Sequence, residues 1–120
     1  MQKKKQDAGD MPVAVVKVYD FVLWLLPKVE NFPRGYKFTI GDRLSAQGLD
    51  LMTTLVEAAY SRDKESLLRA ASDKINSTRY LLRLAKDLKL MSVDAYGFSA
   101  ERLDEIGRMV GGWRKAPRPA

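Results

Sequence analysis

The chain has 120 residues, 46% of them hydrophobic and 30% charged, which describes one ordinary domain able to bury a core and too short for two. Cysteine and histidine are both absent, which excludes disulfides, zinc sites built on Cys or His, thiol nucleophiles and the usual general base near neutral pH. The net charge is +6, and residues 62–89 hold eight basic against four acidic groups, so the positive charge is gathered in that segment and in the C-terminal stretch Arg114, Lys115 and Arg118.

No run alternates as a half-buried strand does, and four apolar segments recur at helical spacing. The first helix is expected from Pro12 to Asn31. Val15, Tyr19, Val22 and Leu26 form one stripe on it, with Ala14, Val18, Phe21 and Leu25 beside them. Pro27 falls inside this pattern, where it withholds a donor from the Leu23 carbonyl and should kink the helix. Phe32-Pro33-Arg34-Gly35 ends it.

Thr39-Ile40-Gly41-Asp42 reads as an N-cap with a carboxylate three residues on, so the second helix is expected to start there. Leu44, Gly48, Leu51, Leu55 and Ala58 give its buried face as far as Tyr60. Ser61-Arg62-Asp63 is a turn short enough to make the flanking helices antiparallel neighbours.

The third helix is expected over Lys64–Met91, with Leu67, Ala71, Thr78, Leu81, Leu82, Ala85 and Leu88 as its apolar arc. Lys74 sits near the middle of that arc. It must snorkel, find a carboxylate such as Glu57 or Asp50, or face another subunit. Ser92 is the next cap, although Gly97 would allow a start at Ser99. Tyr96, Ala100, Leu103, Ile106 or Gly107, Val110 and Trp113 continue the period to Gly111-Gly112. The fold class is all-α, an up-down-up-down four-helix bundle over residues 11–113. Residues 1–10 and 114–120 are expected to be basic disordered tails.

Function has few handles in this pattern. At 100° per residue, Arg62, Arg69, Asn76, Arg79 and Lys86 all fall within about 60° of Arg83, opposite the apolar arc. Such a stripe either neutralises phosphates or is simply a solvated face that also carries Glu65 and Asp87. Trp24 lies on the polar side of the first helix among Lys17, Asp20 and Lys28. It is either a subunit-interface residue or is covered by the loop containing Tyr36 and Phe38. Gly107 and Gly111, four apart, would let a neighbouring helix approach closely. Glu101, Asp104 and Glu105 alternate with Arg102 and Arg108, which reads as salt-bridge lacing on a solvent face. No metal site, no cofactor site and no catalytic residue is indicated, and an enzyme is the last reading to choose. No stretch of about 18 apolar residues could span a membrane. The lack of an export signal and of cysteine fits the cytoplasm.

The run Asn31-Phe32-Pro33-Arg34-Gly35-Tyr36-Lys37-Phe38, the pair Arg43-Leu44, the run Thr78-Arg79-Tyr80-Leu81-Leu82-Arg83-Leu84-Ala85-Lys86-Asp87-Leu88 and the ending Glu105-Ile106-Gly107-Arg108-Met109-Val110-Gly111-Gly112-Trp113 resemble the Avd family, over residues 13–115. Avd is the accessory variability determinant of diversity-generating retroelements, grouped with four-helix-bundle proteins encoded in intervening sequences of bacterial ribosomal RNA genes. The resemblance implies a homopentameric barrel without catalytic activity. It would bind the element's reverse transcriptase and, through a basic surface, template RNA and cDNA during mutagenic cDNA synthesis. The family's basic positions correspond here to Arg34, Lys37, Arg43, Arg79 and Arg83. The alternatives are a ribosome- or ribosomal-RNA-associated bundle with no polymerase partner, and a purely structural helical interaction module.

Overall fold

A computed structural model describes residues 10–116. Both expected tails lie mostly outside those residues. Helix α1 already includes Asp10, and the last helix runs on through Arg114 and Lys115. Four long helices, α1 (Asp10–Glu30), α3 (Asp42–Ala59), α4 (Lys64–Asp87) and α5 (Val93–Lys115), make up the fold. A three-residue helical turn, α2 (Arg34–Tyr36), and a π-helical turn, Lys37–Gly41, join α1 to α3. Each long helix packs on two neighbours, α1 on α3 and α5, and α4 on α3 and α5. With short connections throughout, this is an all-α, up-down-up-down four-helix bundle, with no strand among the described residues.

The core is a single cluster. Ala14, Val18, Phe21 and Leu25 of α1 meet Leu44, Leu51 and Leu55 of α3, Leu68, Ile75 and Leu82 of α4, and Leu103, Ile106 and Val110 of α5. The buried face of α3 is the one its spacing predicts, Leu44, Gly48, Leu51, Leu55 and Ala58. Gly48 is there for a close approach, since a Cβ at that position would lie 2.9 Å from Leu25 Cδ2. The two buried hydroxyls are satisfied within their own helices. Thr78 Oγ1 donates to the Lys74 carbonyl at 2.6 Å and Ser99 Oγ to the Tyr96 carbonyl at 2.8 Å.

The structure corrects the expected helix boundaries in two places and one apolar arc. Thr39 is not an N-cap. The chain is already helical from Pro33, whose carbonyl accepts from the amides of Tyr36 and Lys37 at 2.9 Å, so Thr39 faces no free helix end. Its hydroxyl instead donates back to the Tyr36 carbonyl at 3.3 Å. The third predicted helix ends at Asp87, four residues early, because Lys89 takes a left-handed conformation with φ 63°. Leu90 N–H then bonds the Ala85 carbonyl at 2.8 Å and Lys89 N–H the Lys86 carbonyl at 2.9 Å, the Schellman pattern with lysine in the usual glycine position. The buried arc of α4 centres on Leu68, Ile75 and Leu82, which leaves Leu88 exposed and Lys74 at the rim. Lys74 therefore needs no partner, and it makes no ion pair among the described residues.

Helix α1 continues through Pro27 to Glu30. Pro27 and Leu23 both face outward, so the carbonyl that proline leaves without a donor is open to water. Ser92 caps α5 as expected, its Oγ accepting from Ala95 N–H at 3.0 Å, and the helix passes through Gly97 without a break. At the other junction Lys64 Nζ donates to the carbonyls of Ala58 at 2.9 Å and Ser61 at 2.6 Å, closing the C-terminus of α3.

Candidate nucleic-acid interface

The cationic stripe of α4 exists, but it is interleaved with carboxylates. Arg69 pairs with Glu65 one turn away at 3.4 Å, Arg83 reaches Asp87 at 4.0 Å, and Lys86 Nζ lies 3.3 Å from the same Asp87. Lys86 also sits over the ring of Tyr96 of α5, 4.9 Å from its centroid. Arg79 crosses to α5 and donates to Asp104. Arg69 and Arg83 are about two-thirds exposed, so their ion pairs hold them weakly and leave them free to exchange a carboxylate for a phosphate.

The other predicted cations follow α1. Arg34 and Arg43 are exposed and make no ion pair among the described residues. Lys37 pairs with Glu30 at 3.0 Å and lies 5.7 Å from the Phe38 ring centroid. Because the helices alternate in direction, the end of α1 and the start of α3 lie at the same end of the bundle as the C-terminal part of α4. The fold thus brings Arg34, Lys37 and Arg43 to the end that carries Arg83 and Lys86. Arg69 lies nearer the opposite end.

Trp24 is half-buried, and the loop does not cover it. Its ring stacks on Phe21 with centroids 6.2 Å apart and meets Phe98 of α5 at 5.1 Å, while Lys28 Nζ sits 5.6 Å from its centroid. Tyr36 and Phe38 remain exposed. Arg102 lies over the outer part of this cluster, 4.7 Å from the Phe98 centroid. The aromatic seam therefore joins α1 to α5.

The acidic residues of α5 do more than lace their own helix. Glu105 binds Lys17 of α1 at 3.1 Å as well as Arg102 at 3.4 Å. The Lys17 hydrogen bond holds its carboxyl below the usual range against the opposing effect of desolvation. Glu65 of α4 accepts from Arg114 of α5 at 2.9 Å, and that bond is the main reason its carboxyl too is lowered. Gly107 admits the Arg79 side chain, since a Cβ there would lie 3.4 Å from Arg79 Nη2, whereas Gly111 faces open space. The spacing of the two glycines therefore serves one side-chain contact and not a helix-on-helix seam.

Sequence reasoning missed Asp104, Arg108 and Ser72, which line a groove with Arg79 between α4 and α5. The alternation of charge on α5 placed Asp104 and Arg108 on a polar face, but periodicity does not say which neighbouring helix that face meets. Among the described residues no cluster of acidic side chains could hold a metal ion, and no helix is long and apolar enough to cross a membrane.

Comparison with known proteins decides the family. The bAvd-like family matches residues 12–116, nearly the whole bundle. The chain belongs to the bAvd-like family. No curated protein matches the sequence. Among solved structures, a protein of unknown function from the S23 ribosomal protein family of Bacteroides thetaiotaomicron VPI-5482 superposes with a TM-score of 0.82 at 20% identity, covering 90% of this chain and 100% of that one. At that identity the likeness speaks for the fold alone, and it matches the four-helix bundle described for this bAvd-like chain.

Proposed function

We propose that this bAvd-like protein is a non-catalytic accessory subunit of a diversity-generating retroelement. It assembles into an oligomeric ring, a pentamer by analogy with Avd, binds the element's reverse transcriptase, and guides template RNA and cDNA over its cationic surface. The observation that carries this reading is the match to the bAvd-like family over residues 12–116. Arg79 and Arg83, which the resemblance to Avd assigns as basic positions, lie on the cationic stripe of α4, half-buried and exposed respectively. Arg69 and Lys86 extend that stripe along the helix, and Arg34, Lys37 and Arg43 continue it around one end of the bundle. Phosphate contacts of this kind raise affinity and encounter rate without reading sequence, so specificity falls to the polymerase and the RNA fold.

Two measurements test it. Co-expression with the reverse transcriptase encoded beside this gene should yield a complex that survives purification. Replacing Arg79, Arg83 and Lys86 together by alanine should weaken single-stranded RNA binding and flatten its salt dependence, by about 0.7 in the log–log slope for each phosphate that is no longer neutralised. RNA affinity unchanged in the triple variant would reject this face. The second reading, association with ribosomal RNA and no polymerase partner, follows from the resemblance to the bundles encoded in ribosomal RNA intervening sequences. A genome with no reverse transcriptase gene near this one would favour it.

A further inference from the structure

The groove between α4 and α5 encloses about 330 Å³ and is walled by Ser72, Asn76 and Arg79 on one side and Asp104, Gly107 and Arg108 on the other. Gly107 lies in its wall, where a Cβ would come into ordinary contact with Arg79 Nη2 at 3.4 Å and Ile75 Cγ2 at 3.9 Å. Arg79 lies along the groove and donates to Asp104 Oδ1. Arg108, one turn beyond Asp104, is exposed and makes no ion pair within 4.0 Å among the described residues. Asn76, one turn before Arg79, is exposed and lines the same groove. Two guanidinium groups, an amide and a hydroxyl thus line one groove with a single carboxylate, which Arg79 alone engages.

We propose that this groove is a seat for one backbone phosphate of a bound nucleic acid, and that Asp104 occupies Arg79 until the phosphate replaces it. The proposal rests on the nucleic-acid-binding reading above and adds a defined site with an internal competitor. A carboxylate and a phosphodiester offer the same paired oxygen acceptors to a guanidinium fork, so they compete for Arg79. The Arg79–Asp104 pair is only partly shielded, with side chains 38% and 49% exposed, so the exchange costs little. Arg108 and Asn76 are the groups that favour phosphate over carboxylate, since Asp104 pairs with neither and Arg108 feels Glu105 only as a nearby charge beyond ion-pair distance. On exchange the freed Asp104 takes up a cation, which offsets about one of the counterions the nucleic acid releases.

The test is fluorescence anisotropy of labelled single strands of one sequence, as RNA and as DNA, between about 50 and 200 mM salt. The proteins are the natural chain, Asp104→Asn, Arg79→Ala, the double variant and Glu101→Gln. Glu101 is exposed on the same helix and makes no ion pair among the described residues, so its variant removes an equal charge away from Arg79. Asp104→Asn should tighten binding about two- to fivefold, the equilibrium worth of an exposed ion pair. It should also steepen the log–log salt slope by up to about 0.7, equally for both strands. Neither change should occur in the Arg79→Ala background, and Glu101→Gln should not reproduce them. A gain that persists without Arg79, or that Glu101→Gln matches, overturns the seat and makes Asp104 an ordinary surface charge. No gain in Asp104→Asn overturns it too, while loss of binding in the Arg79, Arg83 and Lys86 variant would still uphold the stripe. No binding by any of the proteins at the low-salt end overturns both readings. Inorganic phosphate should compete no better than chloride at equal ionic strength; selective competition would make this a free-phosphate site and refute the nucleic-acid assignment.

Discussion

Lys89 holds the most strained backbone position in the bundle. Its φ of 63° lies in the left-handed region, where a Cβ crowds the following carbonyl. The Schellman bonds from Leu90 and Lys89 back to Ala85 and Lys86 need that conformation, and with it Leu90 turns in to pack on the core. Glycine would relieve the crowding but would also gain freedom in the unfolded chain, and the first effect is the larger. Lys89→Gly should therefore stabilise the fold by about 1 kcal/mol, read as a higher urea midpoint with an unchanged slope. A lower midpoint would mean that the lysine side chain contributes more than its backbone costs. The same residue explains one failure of sequence reasoning. Helix ends are legible when glycine or proline marks them, and here the stop is written in backbone geometry on a residue type that normally continues a helix.

At the scale of the helices, legibility follows from how each element is held. Helix α3 buries one narrow face of aliphatic residues at regular spacing, so its whole buried set could be read from the sequence. On α4 the apolar residues spread around more of the circumference, and the arc drawn through Leu67 and Leu81 fell to one side of the true centre at Leu68, Ile75 and Leu82. That error placed Lys74 in the core. The cationic positions were legible because long basic side chains on a helix back need only periodicity to locate them. Their partners were not, because Asp104 and Glu105 pair with side chains 25 and 88 residues away in sequence. The cross-helix ion pairs also make stability depend on acid. A carboxyl whose folded pKa lies below its unfolded value adds stability above the unfolded value, and that increment is lost as pH falls through the folded value. Glu65 and Glu105 are both lowered from 4.5, by the Arg114 and Lys17 hydrogen bonds first, so the loss begins just below pH 4.5 and is complete once both are protonated. Urea midpoints measured from pH 6 down to pH 3 should fall across that window. The Glu65→Gln, Glu105→Gln double variant should show a shallower acid limb, and an unchanged limb would assign the loss to other carboxylates.

For the whole molecule, charge and exposed apolar groups are unevenly spread. The side formed by α4 and α5 carries the cationic stripe and the groove, with Tyr80, Leu84 and Val93 exposed on those helices as well. On α1, Val16, Tyr19 and Leu23 project outward at helical spacing and are 54–59% exposed, and Leu49 and Val56 of the neighbouring α3 are exposed as well. The sequence showed an unusually apolar first helix, but it pointed to Trp24, which the fold covers with Phe98. An outward apolar stripe on α1 suits a ring, in which each subunit hides that stripe against a neighbour and leaves the cationic stripe of α4 open. Leu23 is 59% exposed in the single chain, so an aspartate there should leave the bundle intact, within about 0.5 kcal/mol of the natural stability of the monomer. In a ring that buries α1, the same substitution places a charge in an apolar interface and should drive the assembly to monomer. Light scattering after size exclusion reads this directly as a fall in mass to that of one chain, with circular dichroism to confirm that the helices persist. Full oligomeric mass in Leu23→Asp, set against a fall in Trp24→Ala, would instead put the subunit contact at the α1–α5 seam.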